Sequence, residues 1–359
     1  MRYNKRIVTR FLTLIACFGL FVSCKHDVDM YADYKEVPIV YGVLDANADT
    51  NFIKITRAFY APGDASQIAM NPDSSNYPGR LDARLTEYLN DQPTREIILD
   101  TITIHNKQEG AFYAPDQKLY YTAETLNQNA TNKRYKYRLT IVFPKHDTIS
   151  TLCDIVGNSG FKVQSLAFNF SQEYFGRRKE FRFKPAVNAG LYEFRLGFTF
   201  LEQRTPDGDS VPRTMYWNIG TYEEEYLANH LVENCYIIEY YPEAFYKELA
   251  EFIGGDTAIA GLSRYITDYP IELTMSACGK KLKQYIYYND PSHLVTPGDL
   301  EFSLVEGGYG VFSSRMTKIT FLRLGGTTVP ELIARTNWGF KFIGGEYPDE
   351  DNGFNFLDN

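Results

Sequence analysis

Three adjacent glutamates, Glu223, Glu224 and Glu225, stand between Tyr222 and Tyr226. Hydrolysis of a glycosidic bond needs two carboxylates, one to protonate the leaving oxygen and one to attack or to activate water, and rings nearby on which a sugar can stack. A charged, solvated run beside surface tyrosines accounts for the same residues. The rings carry a second chemistry: Trp217, Tyr222 and Tyr226 offer flat faces for a sugar or for a partner's side chain, or else pack in a β core. The histidines His26, His105, His146, His230 and His293 fall one to each distant segment, which is no triad pattern. Aspartates in "DANAD" (residues 45–49), "DGD" (207–209) and "DEDN" (349–352) lack the twelve-residue calcium loop with its terminal Glu, and the first two read as hairpin tips. H-E-x-x-H, G-x-S-x-G and G-x-x-x-x-G-K-[ST] do not occur, and "EGGYG" (306–310) reads as a bulge or bend within a strand. No metal or cofactor is implied.

One further residue with chemistry lies at the start. Arg2, Lys5, Arg6 and Arg10 precede an apolar run from Phe11 to Val22, the layout of a signal peptide and shorter than the ~20 residues of a spanning helix. The order Leu20, Phe21, Val22, Ser23, Cys24 resembles a bacterial lipobox, in which the cysteine is acylated and becomes the new N-terminus. Residues 1–23 are then removed, Cys24 carries lipid, and 24–36 form an acidic tether reaching about 40 Å at ~3.3 Å per residue. Several acyl chains make such an anchor effectively permanent. The remainder holds 33 Lys plus Arg against 45 Asp plus Glu, a formal charge of −12, which disfavours nucleic acid or anionic lipid headgroups as partners. Cys153, Cys235 and Cys278 are too few and too widely spaced for a disulfide framework, with a Cys235–Cys278 bridge and buried single thiols both open.

The elements that position these groups are mainly strands. With 28 Tyr and 25 Phe the composition favours pleated surfaces. "VPIVYGVLD" and "NFIKITRAF" make a hairpin, residues 62–80 a polar loop, and "DARLTEYLN", "REIILDTITI", "KLYYTAETL", "RYKYRLTIVF" and "DTISTLCDI" follow at intervals typical of an antiparallel sandwich. The expected fold is mainly β: an N-terminal, immunoglobulin-like antiparallel sandwich over 37–156, then a β-rich domain over 157–345 with a few inserted helices, and an acidic tail over 346–359. Helical spacing appears only in the second part. It is clearest over 242–253, where Pro242 opens a run with Phe245, Leu249 and Phe252 at i, i+4 and i+7, and it recurs near 330–336 and, more weakly, in "TYEEEYLANHLVEN". "PIELTMSACG", "KLKQYIYYND" and "TKITFLRLG" read as strands.

Asp-Ser/Thr-apolar triplets at Thr101, Thr148, Ser210 and Thr257 resemble the short O-glycosylation acceptor pattern of Bacteroidota envelope proteins. Tyr41, Gly42, Leu44 and Asp45, then Ile53, Lys54, Ile55, Ala58 and Phe59, then Gly308, Gly310 and Phe312 carry a wider resemblance to large lipoproteins of Bacteroidota. In those, a Y-G-x-L-D strand and an I-K-I-x-x-A-F strand open a sandwich and a G-x-G-x-F segment closes the chain. The resemblance implies an outer-membrane lipoprotein, on either face, and no particular activity. The expectation is a non-catalytic binding or assembly module, bound to the membrane through its lipid and to a glycan, a peptide or an outer-membrane protein, with an accessory subunit of an uptake or secretion complex as one form of that role. A glycan hydrolase using Glu224 or a neighbour is the alternative.

Overall fold

The computed structural model describes residues 37–58, 64–110, 116–144, 147–206, 208–254, 261–290, 304–335 and 339–343. In the first part, β1 (Val37–Asp45) and β2 (Asn51–Ala58) form the expected hairpin, with Asn51 bonded to Asp45 across its mouth. Two short helices follow where a plain loop was expected, α1 (Ala65–Ala69) and α2 (Pro72–Ser75). Their cause is local: Asp64 and Asn71 each accept a backbone N–H two residues on, capping a first turn that Pro72 favours in α2. Strands β3 (Asp82–Leu89), β4 (Gln92–Ile98), β5 (Asp100–His105), β6 (Asp116–Thr122), β7 (Tyr135–Val142) and β8 (Ile149–Asp154) complete this part.

The second part contains β9 (Lys162–Val163), β10 (Ala167–Phe168), β11 (Lys179–Lys184), β12 (Ala189–Gln203), β13 (Ser210–Glu223), α3 (Glu224–Ala228), β14 (Tyr236–Tyr240), α4 (Pro242–Ile253), β15 (Ser263–Gly279), α5 (Lys280–Asn289), β16 (Tyr309–Leu324) and α6 (Thr328–Ala334). Helix α4 spans the residues its spacing indicates, burying Phe245, Tyr246, Leu249 and Ile253. Each such side chain contributes about 1.5–3 kcal/mol by leaving water. "KLKQYIYYND" is a helix, α5, and not the expected strand. None of its residues is fully buried, so no one-sided burial pattern marks it, while its Tyr and Ile favour strands by type.

A large sheet runs in the order β13-β12-β15-β16-β1-β2-β6-β5, with β10 also paired to β16, and it is antiparallel except where β1 and β10 lie parallel to β16. A four-stranded sheet, β4-β3-β7-β8, and a three-stranded one, β14-β11-β9, pack onto it. The fold is thus mainly β and sandwich-like, with inserted helices. On β16, Phe312 enters one core and Met316 and Leu322 the other. Their even spacing puts both cores on the same face of the large sheet.

The two cores part at residues 155–156, and the large sheet runs through both. The first core takes its residues from Val40 to Ile155, joined by Val305 and Phe312; the second runs from Val156 to Phe342. Gly42 and Phe312 are register partners in the parallel pair, and a side chain on Gly42 would stand 2.9 Å from the Phe312 ring. Gly310, at φ +106°, passes so close to β1 that a Cβ there would lie 2.0 Å from the Val40 carbonyl oxygen. Only glycine fits that approach.

Each part also buries one glutamate. Glu87 accepts hydrogen bonds from the Tyr137 hydroxyl, from Thr94 Oγ1 (2.8 Å), from Asn127 Nδ2 (2.8 Å) and from Arg95 Nε (3.1 Å). Glu202 meets three arginines, Arg264 (2.9 Å), Arg213 (2.7 Å) and Arg204 (3.1 Å). Arg264 is itself fully buried and donates to the Gly339 and Phe340 carbonyls, tying residues 339–340 to β12, β13 and β15.

Candidate functional site

The site follows from a stagger in the large sheet. Residues 309–315 of β16 pair with β1 along one edge, and residues 315–322 pair with β15 along the other. Opposite β1, therefore, β16 has no β15 beside it, and β8 and the start of α5 come in there. Ser314 marks the seam: its hydroxyl donates to the Asp154 carbonyl (2.6 Å) and accepts from the Val156 N–H (2.9 Å), where the chain crosses from one core to the other.

A groove opens along this seam. Its larger part, ≈ 600 Å³, is lined by Arg138, Thr151, Leu152, Lys281, Val305 and Glu306. A smaller part, ≈ 230 Å³, shares Leu152 and Lys281 and adds Asp154, Asn188, Lys280 and Ser313. One wall is β8, the outermost strand of the four-stranded sheet. The Ile155 N–H bonds the Tyr135 carbonyl, so Cys153 and Thr151 also turn their backbone groups toward β7, and Ser150, Leu152 and Asp154 turn theirs outward. Lys281 Nζ already donates to the outward Leu152 carbonyl at 2.8 Å, and Ser314 to that of Asp154. The groove thus offers backbone donors, apolar side chains and charges of both signs.

The glutamate run lies on the far side of α5. Lys283 of α5 sits between Glu223 (3.2 Å) and Glu225 (2.7 Å), and its hydrogen bond holds the Glu225 carboxyl below the usual carboxylate range. Glu224 accepts from the Tyr236 hydroxyl at 2.7 Å. The Tyr222 and Tyr226 rings stack at 6.4 Å, with His230 4.9 Å beyond. These side chains are therefore brought together, but as a salt-linked helix start. An ionised Glu225 suits that link better than it suits a general acid.

Trp217 is not among them. It lies on the core side of β13 with Met215, 9% exposed, against Phe170 and Tyr240, so it is a packing residue and not a stacking platform. Thr101 lies on the edge strand β5, Thr148 is exposed just before β8, and Ser210 begins the other edge strand, β13. His105 pairs with Asp116 across β5 and β6. Asp45 accepts from the Asn47 N–H at 2.9 Å, as a hairpin tip requires. Among the described residues no cluster of three or more His, Cys, Asp or Glu could hold a metal ion. Cys153, Cys235 and Cys278 are buried free thiols, with burial pushing Cys153 up to about 12 and Cys278 up to about 11. Cys24, the tether, His26, His146, His293, Thr257 and the acidic tail lie outside the described residues.

Sequence reasoning missed Arg138, Lys280 and Lys281 as groove residues. The signal available was the lysine-rich start of "KKLKQYIYYN", which has no acid in its first turn. No helix among the described residues is long and apolar enough to cross a membrane. No protein-family model matches the chain, and no curated protein matches it in sequence.

Proposed function

We propose that the chain is a lipid-anchored, non-catalytic binding module of the bacterial outer membrane, held through Cys24 and receiving an extended segment of a partner protein in the seam groove. The observation that carries this reading is the outward backbone of β8 along a groove with both apolar and charged walls. A strand added there gains main-chain hydrogen bonds from Ser150 and from the Leu152 N–H, while the lining side chains select its sequence. The lipobox-like order at residues 20–24 supports the anchor, and the salt links of Glu223 and Glu225 to Lys283 and the hydrogen bond of Glu224 to Tyr236 engage the glutamate run in structural contacts.

A photocrosslinker placed at Ser150 tests the reading in native membranes. Leu304 also lines the larger part of the groove, so the expected outcome is one discrete adduct with an envelope protein, lost when Leu304→Arg narrows the groove and absent when the crosslinker sits at Tyr216, on β13. An adduct pattern that Leu304→Arg leaves unchanged counts against the groove. Mass spectrometry of the N-terminal peptide tests the anchor separately, through acyl mass on Cys24.

A further inference from the structure

An antiparallel sheet with one packed face ordinarily turns a polar face to water. The first half of the large sheet does not. Direct partners in an antiparallel pair point the same way, so Tyr41 with Lys54, Phe52 with Tyr121, and Leu119 with Ile102 form one band across β1, β2, β6 and β5. It lies opposite the first core, to which Val40, Ile53 and Tyr120 of the same strands are turned. Tyr41, Phe52 and Ile102 are 39%, 41% and 41% exposed, so the band presents apolar side chains to the outside around Lys54.

Helix α5 extends the band. Its Tyr285 ring meets Tyr41 edge-on at 6.0 Å, and Tyr288, three residues on and on the same side of the helix, is exposed. The ionisable groups nearby are few. Lys54 donates to Gln117 at 2.9 Å, Asp100, the register partner of Tyr121, pairs with Arg80 at 3.2 Å, and on α5 Lys281 is held by the Leu152 carbonyl and Lys283 by Glu223 and Glu225. In a chain otherwise rich in acids, this face combines Tyr, Phe, Leu and Ile with Lys54.

Where the chain enters decides what covers it. Tyr41 lies on the first strand, and the twelve residues from Lys25 to Glu36 span at most about 40 Å. We infer that this aromatic band rests on the bilayer holding the lipid anchor, its rings at the headgroup boundary. Tyrosines and lysines suit that boundary because their apolar bodies enter the acyl edge while hydroxyls and ammoniums stay in water. The tether keeps the local concentration high, so contacts weak in free solution become populated. The inference rests on the lipid-anchor reading and adds an orientation to it.

Hydroxyl-radical footprinting of the lipidated full chain, on vesicles of the zwitterionic lipids phosphatidylethanolamine and phosphatidylcholine, tests it against the Cys24→Ala chain free in buffer. Ile98 and Val142, exposed on the outer face of the four-stranded sheet across the first core, serve as references. Burial of the band to ~5–10 Å in the boundary predicts that oxidation of Tyr41, Phe52 and Ile102 falls about tenfold on vesicles while the references are unchanged. Equal oxidation with and without vesicles, on a chain whose Cys24 carries acyl mass, overturns the orientation and leaves the anchor standing. Protection in buffer that grows with protein concentration overturns it in favour of a second copy of this chain. Absence of acyl mass on Cys24 removes the anchor and this inference together.

Discussion

The two cores on one sheet are filled differently. The first lies between two sheets and is mostly aliphatic, with Val40, Leu44, Ile53, Leu85, Leu139 and Ile141 among its buried residues. The second lies between the large sheet and an irregular cover of a short sheet and helices, and it is a mesh of rings: Phe170 stacks on Phe245 at 4.1 Å, and Phe183 meets Phe194, Tyr192 and Tyr236 within 6 Å. Facing sheets keep an even spacing of about 10 Å, which branched aliphatic side chains fill. Uneven gaps beneath a helix and a short sheet need larger units that meet by face or by edge. The buried glutamates differ in the same sense: Glu87 is satisfied largely by neutral donors, whereas Glu202 neutralises a buried arginine.

Breaking the joint between the cores should have the largest effect. Gly310→Ala forces a side chain into the Val40 carbonyl, and we expect a loss of at least about 4 kcal/mol, among the most damaging single changes. Urea unfolding followed at Trp217, in the second core, and by hydrogen exchange in β3 and β7 would show whether both cores loosen. Loss confined to one side would mean that the joint does not couple them.

A smaller effect sharpens the contrast between the glutamates. Glu202→Gln leaves Arg264 buried without its counter-charge and should cost about 3–5 kcal/mol. Glu87→Gln keeps most of its hydrogen-bonding partners and should cost about 1–3 kcal/mol. Equal losses in denaturant titrations would show that the arginines around Glu202 add nothing beyond hydrogen bonding.

Acid gives the smallest effect. Burial raises both carboxyls, but Tyr137, Asn127, Thr94 and Arg95 at Glu87, and Arg213 and Arg264 at Glu202, outweigh it and lower both below the usual value. Their stabilisation is present above a normal glutamate pKa of about 4.5 and is lost as pH falls through the lower folded values. Stability measured from pH 6 to pH 3 should fall less steeply in the double Gln variant than in the native chain.

Much of this was legible in local pattern. The i, i+4, i+7 spacing after Pro242 located α4, and alternation located most strands. The same alternation, followed from Met215 to Trp217, would have placed that ring in the core; its chemical type drew attention to a surface role instead. Helix α5 escaped because neither burial nor a capping side chain marks it. The groove and the parallel joint depend on β16 meeting β1 about 270 residues earlier in the chain, and no local pattern carries that distance.

That same joint sets a timetable. A ribosome or an export channel releases the chain from its beginning, so β1 emerges first and β16 among the last strands. Until residue 315 has appeared, the first strand lacks its long-range neighbour and the first core lacks Phe312. Closing so large a loop makes for slow folding, with strand edges open in the meantime. The front half must therefore wait, unfinished, for the back half to arrive, and whatever escorts the chain has to shield it until then.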